Sequence, residues 1–176
     1  GACFSVGVAQ TISLGVAKRL IPVNSRFIVY IDNIYIGYDR ITDESVFQGT
    51  QPFIIGSRSM ASRLTILGLD VDCSSKLVDV KKQTRNKLST LTRNSTLRHF
   101  FSAFGVFSFI NRALHSPFAL HYTAPTIVCK VFSLFVQQSL NLDEKLSATN
   151  LSQHDLDAVN EALVLTSKLP PARATS

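Results

Sequence analysis

The chain has 176 residues, of which 45% are apolar, 17% charged and 9% aromatic, a composition that fits one globular domain or a piece of a larger one and excludes a disordered tail. No charge-free apolar run reaches the roughly 18 residues that a spanning helix needs, because Ala124 to Leu140 is broken by Lys130, Gln137 and Gln138, so a soluble protein is expected. The net charge of +6 is uneven: eight Lys or Arg and no Asp or Glu lie between Val80 and Leu142, after which Asp143, Glu144, Asp155, Asp157 and Glu161 outnumber Lys145, Lys168 and Arg173.

From Ser5 to Leu20, Val8, Ile12, Val16 and Leu20 share one helical face, with Val6 and Ala9 beside it, and Pro22 stops the pattern. Arg26 to Ile31 and Ile34 to Tyr38 are β-branched and aromatic runs around Asp32-Asn33, which predicts a β-hairpin turning at those two residues. Both alternating sets of the first run are apolar, so that strand is expected to be covered on both faces. Thr42 to Arg63 shows no period and reads as a loop with one short helix at most. Leu64 to Asp72 reads as a strand interrupted by Gly68, pairing with Lys76 to Val80 across Cys73-Ser74-Ser75. Lys81 to Leu91 and Thr96 to Leu114 carry helical patterns, the second rich in phenylalanine, and Thr126 to Leu140 and Gln153 to Leu169 predict two more helices. The last is entered through Asn150-Leu151-Ser152 and closed by Pro170-Pro171. The fold class expected is α+β.

Cys3, Cys73 and Cys129 are odd in number, far apart and without a C-x-x-C, which argues against a disulfide framework or zinc site and for a reducing, intracellular location, cytoplasmic or nuclear. The chain opens at Gly1 with no signal-peptide pattern and has Met60 as its one methionine, so a fragment is expected. His99, His115, His121 and His154 lack metal-ligand spacing. The basic middle, with Lys81, Lys82, Arg85 and Lys87 at its head, suits a phosphate backbone through counterion release, although charge alone favours a solvated helix face. Phe100 to Phe109 could stack on bases, but phenylalanines at helical spacing are read as core.

Asp32, at the tip of a strand-turn-strand unit, could hold Mg²⁺ together with other carboxylates and a triphosphate. Phosphoryl transfer to a nucleic-acid 3′ end uses two such ions about 4 Å apart. One Asp is too few, and an Asp-Asn tip by itself reads as a turn chosen for its backbone. The surrounding residues add to this. Tyr30-Ile31-Asp32-Asn33 resembles the Y-x-D-D hairpin of reverse transcriptases, and Gly1 through Ser5 to Gln10 repeats the family's G-x-x-x-S-x-x-x-x-Q pattern at a similar distance upstream. Leu67-Gly68 resembles the primer-grip turn. Lys81 to Leu91 and Leu97 to Phe107, with a break at Gly105, resemble the two thumb helices, and Leu151 to Leu165 is similar to a connection region before a ribonuclease H domain, most like the tyrosine-recombinase (DIRS-like) or LTR retrotransposon groups.

This resemblance implies the second half of a polymerase palm over residues 1–80, a thumb over 81–124 and a connection segment over 125–176. It implies RNA-directed DNA polymerase chemistry, with Asp32 and Asn33 at the catalytic position, Asp32 on Mg²⁺ or Mn²⁺, and Gly1, Ser5, Gln10, Tyr30 and Ile31 near dNTP and template. Leu67 and Gly68 would grip the primer, and Lys81, Lys82, Arg85 and Lys87 would meet the backbone of an RNA/DNA primer-template. Partners would include an upstream palm and fingers segment and a downstream ribonuclease H domain, but no membrane. Two departures bear on activity. Asn33 stands where the family has its second aspartate, and the family's other essential aspartate lies on a strand before the helix that begins this chain. The chain alone is therefore expected to be inactive. A non-catalytic nucleic-acid-binding remnant and an unrelated structural α+β domain are the rival readings.

Overall fold

The structure, a computed structural model, describes residues 3–21, 23, 25–37, 59–116 and 123–174. They are α+β and fall into two compact units, Gly1–Ser59 and Met60–Ser176. Gly1, Tyr38, His121 and the loop expected over 42–58 lie outside the described residues.

In the first unit, helix α1 (Ser5–Leu20) packs on a two-stranded antiparallel ribbon of β1 (Arg26–Tyr30) and β2 (Asn33–Gly37). The inner face of α1 is only partly the expected one, with Val16 and Leu20 half-buried. It runs through Gln10, Leu14 and Ala17 to Ile21, whereas Val8 and Ile12 are exposed. The hairpin also differs. Tyr30 pairs with Asn33, so the two-residue turn is Ile31-Asp32, one position earlier than the local turn chemistry of Asp32-Asn33 suggests. Phe27 and Val29 face inward opposite Ile36 and Ile34, while Ile28, 61% exposed, and Tyr30 lie on the other face. Among the described residues of this unit, the first strand is therefore covered on one face, and Ile28 and Tyr30 leave its second face exposed.

The second unit holds a four-stranded antiparallel sheet in the order β3 (Arg63–Ile66), β4 (Leu69–Asp72), β5 (Leu77–Val80), β6 (Ala172–Arg173). The run read as one strand from Leu64 to Asp72 is itself a hairpin, since Leu67 (φ 52°) and Gly68 (φ 81°) both adopt the left-handed region that a type I′ two-residue turn requires. The turn between β4 and β5 spans Cys73 to Lys76. Strand β6 was not expected from the sequence: the chain beyond Pro171 returns to pair Ala172 with Val78 and Arg173 with Leu77.

A single helical turn, α2 (Lys82–Arg85), stands where a helix to Leu91 was expected. Asn86, Ser89 and Thr90 favour turns and extended backbone over helix, and the Asn160 side chain holds Leu91 outside a helix by accepting from its N–H and donating to its carbonyl, both at 2.8 Å. Three helices follow, α3 (Leu97–Ala113), α4 (Thr123–Gln137) and α5 (Gln153–Ser167). Thr96 caps α3 through the His99 N–H, and the carbonyls of Glu144 and Leu142 take the N–H groups of Leu97 and Arg98. Ser152 caps α5 at Asp155. Helix α3 is unbroken at Gly105, where an exposed glycine costs the helix about 0.5–1 kcal/mol relative to alanine without ending it.

Leu97, Phe100, Ala103 and Phe107 of α3 meet Ile127, Val128 and Val131 of α4 and Leu156, Val159 and Leu163 of α5 in one core that also takes in Leu91 and Leu146. Val80, Ile110 and Leu114 join the sheet to α3 with Leu69 and Leu169 beside them. The boundary placed between 124 and 125 thus falls inside a single core, and the one placed between 80 and 81 separates β5 from the helix it packs on. Buried Asn111 donates from Nδ2 to the Phe107 carbonyl and, at 2.9 Å, to Thr166 Oγ1, tying α3 to α5. Among the described residues no helix is long and apolar enough to cross a membrane.

Candidate functional site: the hairpin tip and the basic segment

Tyr30 to Asn33 occupy the end of the β1-β2 ribbon. Ile31 takes φ 54°, a left-handed conformation that costs a β-branched residue about 1–2 kcal/mol and is normally reserved for glycine at the first position of a II′ hairpin turn. Gln10 compensates for part of this. Its Oε1 accepts from the Ile31 N–H at 2.6 Å and its Nε2 donates to the Val29 carbonyl at 3.0 Å. A side-chain amide bonded to the carbonyl of one residue and the N–H two further on takes the place of a neighbouring strand's peptide. Gln10 is half-buried in making these bonds. These bonds give the Gln10 side chain a structural role at the hairpin.

Asp32 and Asn33 are exposed at the tip. Asp32 forms no ion pair with any described residue, and Asn33 belongs to the ladder rather than to the turn. Tyr30 lies on the open face of the ribbon. Ser5 opens α1 but does not cap it, the cap position being Phe4, which offers no side-chain hydrogen bond. Among the described residues no group of three or more His, Cys, Asp or Glu could hold a metal ion. One exposed carboxylate beside a neutral amide does not supply the charge for a pair of divalent cations, so the described residues do not fit a two-ion centre by themselves.

In the second unit, Leu67 and Gly68 form the β3-β4 turn, with Leu67 exposed and a Cβ at Gly68 only 3.6 Å from Phe109 Cζ of α3. The turn closes a paired hairpin and is backed by an aromatic ring. Of the four basic residues assigned to a nucleic-acid backbone, Lys81, Lys82 and Lys87 are exposed. Arg85 is not available. Its side chain, 17% exposed, pairs with Asp79 and donates from Nη1 to the Ser167 carbonyl at the end of α5 at 2.9 Å, so it is withdrawn from that set. Arg98 and Arg93 are also engaged, with Asp143 and Gln153.

The phenylalanine run divides much as its periodicity implies. Phe100 and Phe107 are buried, and Phe101 is edge-on to Phe100, Phe132 and Phe135 at 5.6 to 6.0 Å between ring centroids. His99 is an exposed helix residue hydrogen-bonded to Ser89, and the three cysteines are free and exposed.

The sequence reading missed three backbone-binding side chains: Gln10 on Val29 and Ile31, Asn160 on Leu91, and Asn111 on Phe107. Each is an amide at a helix position that is itself buried or half-buried. Asp72 is a fourth, smaller case. The Ser75 N–H and hydroxyl, the Ser74 N–H and Arg63 hold its carboxyl below the usual 3.8. Compared with models of protein families, with curated proteins and with solved structures, the chain matches none.

Proposed function

We propose that the chain is part of the polymerase core of a retroelement reverse transcriptase, an RNA-directed DNA polymerase, in which Asp32 is one carboxylate of a centre completed by residues outside this chain. The observation that carries the reading is the joining of two motifs across 21 positions: the glutamine that ends the G-x-x-x-S-x-x-x-x-Q pattern grips the backbone of Tyr30-Ile31-Asp32-Asn33. Edge chemistry adds to it. In a two-residue hairpin the pair beside the turn exchanges both hydrogen bonds, so Val29 and Ile31 direct their polar groups away from β2, and Ile34 and Ile36 direct theirs away from β1. Gln10 occupies the first edge and no described strand occupies the second, which leaves β2 as the place for a further, aspartate-bearing strand. The tight Leu67-Gly68 turn suits a primer grip, and exposed Lys81, Lys82 and Lys87 suit a sugar-phosphate backbone.

A second reading, a nucleic-acid-binding remnant without catalysis, is favoured by one specific observation, the neutral Asn33 beside an Asp32 that forms no metal-binding group with other described residues. The reading frame upstream of Gly1 tests the two. An aspartate-bearing strand there supports the polymerase, a stop codon the remnant, and an unrelated coding region sinks both. The shared part is measured by the affinity of this chain for an RNA/DNA hybrid over a salt series. Lys81→Ala, Lys82→Ala and Lys87→Ala together should reduce the slope of log K against log salt by about two to three, near 0.9 for each phosphate that is no longer neutralised. An unchanged slope in the folded variant would assign the lysines to a solvated face.

A further inference from the structure

Two registers of the β1-β2 hairpin compete. The one observed pairs Tyr30 with Asn33 and Val29 with Ile34 around an Ile31-Asp32 turn. The other would pair Ile31 with Ile34 and Tyr30 with Tyr35 around Asp32-Asn33. Hydrophobic burial does not choose between them, since each keeps Phe27, Val29, Ile34 and Ile36 on one face of the ribbon. Local turn chemistry favours the second, because Asp and Asn tolerate left-handed backbone and Ile does not. Yet Ile31 is the residue at φ 54°.

We infer that Gln10 is a register pin and, through the hairpin, a positioning residue for Asp32. Its two hydrogen bonds need the Ile31 N–H and the Val29 carbonyl on the outer edge of β1. In the observed register both groups point there. In the competing register Ile31 and Val29 sit in hydrogen-bonded pairs with Ile34 and Ile36, and the same two groups are used up within the ribbon. Gln10 can therefore bond to one register and not to the other. The consequence falls on the tip: the pinned register makes Asp32 the second turn residue and keeps Asn33 in the ladder, whereas a slip would make Asp32 the first turn residue and bring Asn33 into the turn. The importance of this for catalysis rests on the polymerase reading, but the pin itself does not.

The two registers have different close Cα-proton approaches, which lie across the pairs that are not hydrogen-bonded. In the whole chain, nuclear Overhauser spectra should show Val29 with Ile34 and Phe27 with Ile36. Gln10→Ala should shift the balance by about tenfold or more toward Tyr30 with Tyr35, as expected when two hydrogen bonds are removed. Ile31→Gly in that background, which removes the penalty of positive φ, should restore the Val29 to Ile34 signal. If Gln10→Ala instead melts the ribbon, the same rescue by Ile31→Gly supports the pin and its failure overturns it. Retention of the original signals alone in Gln10→Ala also overturns it. None of these spectra depends on polymerase activity, so a pin that stands in a chain whose upstream frame lacks the aspartate would refute only the catalytic reading.

Discussion

Asp72 and Asp32 show how differently a turn carboxylate can be used. Asp72 bonds to the N–H groups of Ser74 and Ser75 at 2.9 and 3.2 Å and to Arg63 at 3.1 Å, and these partners favour its charged form. A folded-state pKa below the unfolded value means that the stabilisation is present above about pH 3.8 and is lost as pH falls through the lower folded value. Titrating the Ser74 and Ser75 amide shifts should give a midpoint below 3.8 that disappears in Asp72→Asn, and a midpoint at or above that value would remove the assignment. Asp32, in contrast, has no ion pair with a described residue and, among the described residues, no second or third metal-binding side chain beside it. Magnesium keeps its waters unless several oxygens replace them. Calorimetric titration of Mg²⁺ into this chain should therefore reveal no micromolar site, and such a site, abolished by Asp32→Ala, would show the centre to be more complete than proposed.

At the scale of elements, Arg85 links three of them. It stands at the end of α2, pairs with Asp79 of β5 and takes the Ser167 carbonyl at the close of α5. Arg85→Ala removes charged hydrogen bonds worth about 1.5–3 kcal/mol in total, and Arg85→Lys should recover less than half because an ammonium cannot serve both acceptors from one planar fork. Denaturant midpoints measure the loss, and a cost below half a kcal/mol (roughly the scatter for surface positions) would return Arg85 to the phosphate-binding set. The same residue shows why part of this fold was legible and part was not. The caps Thr96 and Ser152, the apolar period of α3 and the two strand runs before Tyr38 are local signals, and the sequence-based expectations located these elements within a few positions. Arg85 could be read only as a positive charge in a basic stretch, since Ser167 lies 82 positions away. The same distance hid β6, whose two residues gain their strand character from β5, and the turn register at Ile31, where a glutamine 21 positions upstream opposes the local preference.

Across the whole molecule, burial is unequally shared. Of the buried apolar residues described, only Ala17 and Ile21 belong to Gly1–Ser59, and all the others, from Val80 to Leu163, lie in Met60–Ser176. Phe4 at the cap of α1 and Val6, Val8 and Ile12 within it are exposed, as is Ile28 on the open face of the ribbon. At about 25 cal/mol for each Å² of apolar surface removed from water, buried side chains are the chief source of cooperative stability, so the two units should open at different free energies. In native-state hydrogen exchange, the amides of α3, α4 and α5 should be protected at least about a hundredfold more than those of α1 and β1. Met60–Ser176 expressed alone should keep the slow exchange of its three helices, since its two apolar clusters contain no described residue of Gly1–Ser59. Equal protection in both units, or collapse of helix protection when residues 1–59 are removed, would mean that the first unit contributes to the stability of the second and that the chain folds as one cooperative body.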